Sequence, residues 1–196
     1  MKNIFLKECI DSLSNDIDFA INNKHHREEL LATFPKLKSS VPFSPRLNRW
    51  LTDWYLTHNE IFYFAEDDDF DFKDIKGTFN RHLEEFRSTG RIRIWTPESS
   101  NTVFGEDQVN VYFRCFHSYI HIVHQAPYTL IGESTVCCIQ MSYLPQDWLL
   151  ERELFLIEIL GQNLYYAKHK IFLRNQRLFA YDFMRDPDRA ILTRQI

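Results

Sequence analysis

The sequence lacks an excess of charge of either sign. Its 23 lysines and arginines are set against 27 aspartates and glutamates, for a formal net charge of −4 over 196 residues. Proteins that hold nucleic acid by a whole charged face are strongly basic. The composition therefore argues against such a general electrostatic interaction with polyanions, and it leaves room only for a local basic patch.

Long apolar runs are also missing. Lys, Glu and Asp interrupt the N-terminal stretch MKNIFLKECIDSLSNDIDF before a signal-type apolar core can form. No later stretch approaches the roughly 18 consecutive apolar residues that a membrane-spanning helix needs. We therefore expect a protein with no membrane partner and a cytoplasmic location.

Cysteine is scarce, and the cysteines are not spaced as metal-binding pairs. The four cysteines, at positions 9, 115, 137 and 138, show none of the paired spacings of a zinc ribbon. The adjacent Cys137 and Cys138 have poor geometry for a disulfide with each other. We interpret all four as reduced thiols, and we predict neither a metal nor a cofactor.

What the chain does contain is a large apolar and aromatic fraction. Hydrophobic residues make up 44% of the sequence and aromatic residues 15%, including 17 Phe and 9 Tyr. These values are typical of a globular protein with a core or groove rich in rings. We predict one domain over residues 1–196, of which 1–40 form a helical N-terminal extension.

Apolar spacing at threes and fours predicts helices in the first part of the chain. Residues 3–34 fit this pattern, with a second short helix from Glu28 to Phe34, and residues 36–45 form a loop. Ser44-Pro45 is a helix start signal. The helix that it begins carries four apolar residues on one side, Leu47, Trp50, Leu51 and Trp54.

The hydrophobic period changes further along the chain. Residues 59–64 look like a strand, and 75–86 look like a helix that Ser88-Thr89-Gly90 ends. The segments 91–96, 108–125 and 134–144 alternate or are rich in β-forming residues. Short connections between the last three leave no room for crossover helices. The predicted fold class is α+β, an antiparallel sheet with N-terminal helices and a C-terminal helix or hairpin packed on one face.

The segment after Pro145 is open to two interpretations. Leu, Glu and Arg propensities and a possible N-cap at Asp147 favour a helix. The turn-like Gly161-Gln162-Asn163 between two apolar runs would instead suit a hairpin. Propensity favours the helix slightly, and we prefer it.

Three histidines lie close together in FHSYIHIVHQAP, at positions 117, 121 and 124. If this segment is a strand, His117 and His121 share a face but stand about 13 Å apart, too far for one metal ion. Single-strand-nicking endonucleases hold a divalent ion with two histidines that are separated by one residue. Here two residues separate His121 from His124, although Tyr165 and Lys168 have the Tyr-x-x-Lys spacing of the nucleophile and lysine of such an enzyme. We therefore interpret these histidines as solvent-facing residues of a half-buried strand.

The acidic run EDDDFDFKD gives a second candidate site. Asp67, Asp69 and Asp71 have the spacing of a calcium loop, but Phe72 and Thr78 occupy the positions that require Gly and Glu. Asp71-Phe-Lys73, downstream of Asp53, alternatively resembles the core of a magnesium-dependent nuclease. A solvated acidic turn that precedes a helix accounts for the run without any function.

Basic and aromatic residues are interleaved near the C-terminus, and the basic ones include Lys168, Lys170, Arg174 and Arg177. Such a mixture suits single-stranded nucleic acid, because cations hold phosphates and rings stack on bases. The alternative is a C-terminal helix with a basic outer face. The net negative charge favours the second interpretation.

Two stretches resemble parts of the chorismate lyase-like family, PRLNRWLTDWYLT at 45–57 and LLERELFLIEILGQNLYYAKHKIF at 149–172. The resemblance implies an antiparallel sheet with helices on one face and a hairpin over the second stretch. It further implies that Arg152 binds the carboxylate of an aromatic or cyclic acid, with Tyr165 and Tyr166 in the same ligand site. The family's final strand, with its active-site Glu, has no counterpart here.

Three function classes remain open from these residues. The leading expectation is a non-catalytic protein-interaction or small-ligand-binding domain, with a protein partner or self-association, since aromatic-rich and nearly neutral surfaces commonly form protein contacts. A chorismate lyase-like enzyme or binder of an aromatic acid is the first alternative. A metal-dependent nuclease or single-stranded nucleic-acid binder is the second, and the residues do not decide whether the protein is an enzyme.

Overall fold

The computed structural model of the chain describes residues 24–195, most of which lie in helices. Helix α1 spans Lys24–Thr33 and continues into a 3-10 turn over Phe34–Lys36. Helix α2 spans Pro45–His58. Ser44 caps it, because Ser44 Oγ accepts a hydrogen bond from the backbone N–H of Leu47 at 3.3 Å. The helix start predicted at Ser44-Pro45 is confirmed.

The N-terminal extension is described only in part. Within residues 24–36 it is helical, in agreement with the short helix predicted near residues 28–34. The part of the predicted 3–34 helix before residue 24 lies outside the described residues.

A two-stranded parallel sheet replaces the expected antiparallel one. Strand β1 spans Phe62–Ala65, β2 spans Ile92–Trp95, and helix α3, over Ile75–Thr89, connects them. Asp74 Oδ1 caps α3 by accepting from the Gly77 N–H at 2.8 Å. The positions of β1 and β2 were predicted nearly correctly, but the prediction of an antiparallel sheet was wrong, because a helical crossover returns the chain in the same direction.

Two segments predicted as strands are helices. Helix α4 spans Asp107–Val123 and α5 spans Leu130–Ser142, so both strand predictions, over 108–125 and 134–144, are wrong. Helix α4 packs against α2, α5 and β2, which bury it on several sides. Buried apolar residues of α4 do recur at helical spacing, at Val109, Phe113, Phe116 and Ile120, so the wrong prediction came from the β-forming composition of the segment and not from its period.

The chain after Pro145 is helical, so the helix preference is confirmed and the hairpin is wrong. Helix α6 spans Leu149–Leu156, a π-helical turn covers Ile157–Gly161, and α7 spans Gln162–His169. Two further helices complete the described chain, α8 over Gln176–Arg185 and α9 over Pro187–Leu192.

The fold is therefore helical, with α4 near its centre. Helix α5 lies between α4 and the α6–π segment, and α7, α8 and α9 pack together beyond it. The predicted antiparallel α+β architecture is wrong for the described residues, because its two central strands are the helices α4 and α5. Within residues 24–195, no helix combines the length and apolar character needed to cross a membrane.

Candidate metal centre

The histidine-rich stretch and the start of α5 meet in one buried cluster. His117 and His121 are four residues apart on α4, so one helical turn places them on the same face. His117 Nε2 lies 3.1 Å from His121 Nε2. Glu133, in the first turn of α5, faces both rings with its carboxylate: Oε2 lies 3.4 Å from His117 Nε2, and Oε1 lies 3.4 Å from His121 Nε2. Within the described part of the chain, these three residues form the one cluster of His, Cys, Asp or Glu with metal-ligand spacing.

The connection between α4 and α5 sets the position of Glu133. Thr129 caps α5, with its Oγ1 accepting from the Gly132 N–H at 3.2 Å. A Cβ atom on Gly132 would lie only 1.7 Å from the Pro127 carbonyl oxygen. Only glycine therefore lets this turn of α5 approach the connection so closely, and Glu133 follows directly.

Each imidazole directs a specific nitrogen at the cluster. His117 Nδ1 lies 2.9 Å from Gln140 Oε1, and His121 Nδ1 lies 2.7 Å from the Ala126 carbonyl oxygen. Since both partners are acceptors, each Nδ1 carries the hydrogen that is donated. When the rings are neutral, both Nε2 atoms therefore present lone pairs to each other and to Glu133.

Burial makes this arrangement costly without a positive charge. The His121 side chain is fully buried, whereas those of Glu133 and His117 are 10% and 24% exposed. Glu133 Oε2 has no hydrogen-bond donor among the described residues. Lone pairs that converge in a buried site need a proton or a metal cation between them.

The pKa directions show how a proton can meet this need. Burial disfavours the charged forms of all three groups. Attraction between His117 and Glu133 outweighs burial, so the pKa of His117 is raised and that of Glu133 is held well below its usual range. Burial and the neighbouring His117 charge lower the pKa of His121. In the metal-free cluster, His117 is therefore the favoured site for an added proton.

The cluster also has the dimensions of a zinc site. Zinc binds imidazole nitrogen at about 2.0 Å in a tetrahedron, which places neighbouring ligand atoms about 3.3 Å apart. The observed separations are 3.1 Å between the nitrogens and 3.4 Å from each nitrogen to the carboxylate. With one ligand atom taken from each residue, the three atoms lie within 4.8 Å of one another, so a single ion can be held among them after a small movement of the Glu133 carboxylate.

The ligand site that the resemblance implies is not assembled by the structure. Arg152, half-buried, and Tyr165 lie thirteen positions apart along the α6–α7 segment, about 20 Å at the rise of a helix. Tyr165 is fully buried, and its hydroxyl accepts from the Gln195 N–H at 2.9 Å. Tyr166 stacks on Phe172 with ring centroids 4.6 Å apart. The three residues do not line one pocket.

The predicted basic cluster is divided. Lys168, Lys170 and Arg174 are exposed, and Lys170 Nζ lies 5.9 Å from the Tyr166 ring centroid. Arg177 is buried and donates to the carbonyl oxygens of Thr102 at 3.1 Å and Lys38 at 3.3 Å. Arg177 therefore holds two loops together and does not present its charge to a phosphate.

The remaining candidates have local partners. Asp67 and Asp69 form ion pairs with Arg93 at 2.8 and 3.0 Å, and Asp71 Oδ1 accepts from the Lys73 N–H at 2.8 Å. This geometry agrees with an acidic turn whose charge the protein itself offsets. His124, at the C-terminal end of α4, is exposed and outside the cluster.

No family model, no curated protein and no solved structure matches this chain. The site is therefore assigned from its own geometry. Sequence reasoning missed Glu133 and placed His117 and His121 about 13 Å apart because it assigned the segment to a strand. Reading the His-x-x-x-His spacing in a helical register would have placed both rings on one face.

Proposed function

We propose that the protein binds one divalent transition-metal ion of the zinc class through His117 Nε2, His121 Nε2 and the Glu133 carboxylate. The observation that carries this proposal is the convergence of these groups at separations of 3.1 and 3.4 Å, with both Nδ1–H groups directed away. Two imidazoles and one carboxylate form a common zinc ligand set. The proposal makes the protein a small-ligand-binding domain whose ligand is a metal ion, in contrast to the sequence prediction of no metal.

The neighbouring hydrogen bonds support this function. Ligating histidines usually donate their second N–H to a carbonyl or carboxylate oxygen, which orients the ring and raises its basicity. Gln140 and Ala126 supply such acceptors here. Because the ligands come from α4 and α5, the ion would join these two helices, and its binding energy would add to their stability.

Metal titration of the purified protein tests the proposal. We expect one zinc ion per chain by elemental analysis and an affinity at least 100-fold lower for His121→Gln, which loses a ligand nitrogen from the buried face. The matched control is His124→Gln, since His124 belongs to the same stretch but is exposed and outside the cluster. Absence of bound zinc in the wild type, or equal affinities for the two variants, would show that the cluster holds only a proton.

We also propose that the protein associates with a second copy of itself through an exposed group of rings. Phe72 and Phe172 are 45% and 61% exposed, and Phe172 contacts both Phe72 and Tyr166 with centroid distances of 5.4 and 4.6 Å. Adjacent exposed rings are typical of protein interfaces. This feature supports the self-association that the composition leads us to expect.

Light scattering coupled to size exclusion tests the association. We expect a dimer whose population rises with concentration and falls at least tenfold in the Phe72→Ser, Phe172→Ser double variant. Leu56→Ser is a matched control, because Leu56 is similarly exposed at 58% but lies on α2. A monomer at every concentration would contradict the proposal.

A further inference from the structure

A chain of polar side chains reaches the cluster of His117, His121 and Glu133 through Tyr128. His82, on α3, lies 3.0 Å from Asp69 Oδ2 through Nε2 and 2.9 Å from the Tyr128 hydroxyl through Nδ1. The Tyr128 ring packs against the His121 ring with centroids 4.8 Å apart and an interplanar angle of 68°. Asp69, His82 and Tyr128 thus connect the acidic turn to a ligand of the cluster.

The direction of each hydrogen bond follows from the partners. Asp69 accepts from Arg93 Nη1 at 3.0 Å and is therefore held as an acceptor for His82 Nε2–H. A neutral His82 then has a lone pair on Nδ1, so the Tyr128 hydroxyl donates to it. This bond fixes where the Tyr128 side chain points.

Tyr128 belongs to a short segment that contributes twice to the cluster. Two residues before it, the Ala126 carbonyl accepts from His121 Nδ1 at 2.7 Å. One residue after it, Thr129 donates its N–H to Pro127 O at 2.7 Å and accepts from the Glu133 N–H at 2.8 Å. An anchor at Tyr128 therefore constrains both the group that orients His121 and the backbone that carries Glu133.

The ring and the hydroxyl of Tyr128 make separable contributions. Phe70 and Phe79 pack against the ring with centroids at 5.5 and 5.3 Å, so a phenyl ring alone would stay in place by apolar contact. The hydroxyl group fixes the orientation of the Tyr128 side chain through its hydrogen bond to His82. Removing the hydroxyl should loosen the orientation of residues 126–133 without emptying the core.

We infer that Tyr128, held by the Asp69–His82 pair, is a positioning residue of the metal centre and raises its affinity for zinc. This inference rests on the metal-binding function proposed above. Partners of this kind, one contact removed from the ion, typically change metal affinity by about 10-fold to 100-fold.

Zinc affinity of three variants of the full chain tests the inference. We expect Tyr128→Phe and His82→Ala each to bind zinc about tenfold more weakly, with little change in the thermal midpoint of the metal-free Tyr128→Phe protein. Because the two residues act through one hydrogen bond, the double variant should lose no more affinity than His82→Ala alone. Tyr166→Phe is the matched control, since it makes the same change on α7, away from the cluster.

The cobalt-substituted protein supplies a second readout. Visible absorption of Co²⁺ reports coordination geometry, so we expect the Tyr128→Phe spectrum to differ from wild type and that of Tyr166→Phe to be unchanged. If the wild type binds the metal but Tyr128→Phe and His82→Ala keep its affinity and spectrum, the positioning role is wrong and the metal-binding function stands. Failure of the wild type to bind zinc or cobalt overturns the proposed function and this inference with it.

Discussion

Two buried carboxylates, Glu133 on α5 and Glu151 on α6, have opposite surroundings. Both side chains are almost fully buried, with residue exposures of 7% and 2%. Glu151 accepts from Ser44 Oγ at 2.5 Å, and Arg46 donates to it through Nε at 2.8 Å and Nη2 at 2.6 Å. Glu133 instead faces two imidazole Nε2 atoms that carry no hydrogen when the rings are neutral.

The difference separates a structural contact from a binding site. At Glu151 the chain supplies a permanent cation and three oriented donor groups, Ser44 Oγ and the Nε and Nη2 of Arg46, so nothing further is needed. Burial opposes the charge on Glu151, but Arg46 and Ser44 outweigh it and lower the pKa. At Glu133 the chain supplies more acceptors than donors, so the site needs an added proton or cation. The balance of donors and acceptors distinguishes the two sites better than burial does.

Glu158, in the π-helical turn, is a third case. Its side chain is buried, its Oε1 has no hydrogen-bond partner among the described residues, and burial raises its pKa to about 8, with only partial relief from Gln162 and Arg114. Neither an ion pair nor a ligand set surrounds it. Protonation of the carboxyl group itself removes the buried charge at neutral pH.

Among the variants that test this comparison, we expect Glu158→Gln at pH 8 to change the free energy of unfolding the most. The folded protein keeps the proton to about pH 8, whereas the unfolded chain releases it near its ordinary pKa of 4.5. The contribution of the Glu158 carboxyl to the free energy of unfolding is therefore fully present below pH 4.5 and is lost as the pH rises to 8. Glutamine cannot ionise, so the variant should be more stable than wild type by about 4 kcal/mol at pH 8 and by less than about 1 kcal/mol at pH 5.

Urea denaturation of both proteins at pH 5 and pH 8 measures this difference. Glu84→Gln is the control, since Glu84 is exposed on α3. If wild type and Glu158→Gln lose the same stability between pH 5 and pH 8, Glu158 is ionised in the folded protein.

A smaller effect is expected from Arg46→Ala. The change leaves Glu151 buried with only Ser44 as a donor, and it removes the stacking of the guanidinium on Trp148 at 4.7 Å. Breaking a fully buried pair from one side costs about 3–5 kcal/mol. The Arg46 side chain is 33% exposed, so we expect about 2 kcal/mol less free energy of unfolding.

Zinc affinity of Arg46→Ala should stay within about twofold of wild type, because the Arg46–Glu151 contact joins α2 to α6 and is separate from the cluster. Urea denaturation and zinc titration of the same sample check both expectations. A stable variant that has lost zinc binding would break the distinction between the two carboxylates.

Local signals in the sequence predicted part of this structure correctly. Ser44-Pro45 begins α2, and Gly90, at a φ of +69°, ends α3 one residue after its last helical residue. Both depend on neighbouring residues, since a cap or a left-handed turn forms within a few positions of the chain. The positions of β1 and β2 were also close to those predicted, because each is a short apolar run bounded by turn residues.

The same reasoning failed for α4 and α5, for a different reason in each helix. Val109, Val111 and Ile122 favour strands by intrinsic propensity, yet they lie in a helix that neighbouring elements bury on several sides. In α5 one face is buried, with Val136, Cys137, Gln140 and Met141, but the apolar Leu130 and Ile131 are exposed, so the helical period of its sequence is weak. The error in the segment type moved the histidines apart and concealed the site.

The sequence by itself determined the nearly neutral, aromatic-rich composition, the helix ends set by caps and glycines, and the presence of His117 and His121 four residues apart. Only the tertiary structure decided that this spacing lies on a helix, and only the close approach of α5 across Gly132 brought Glu133 to both rings. The physical reason is the range of the interactions. Caps and turns form between near neighbours, whereas the donors and acceptors around a buried carboxylate come from residues that meet only when the helices pack.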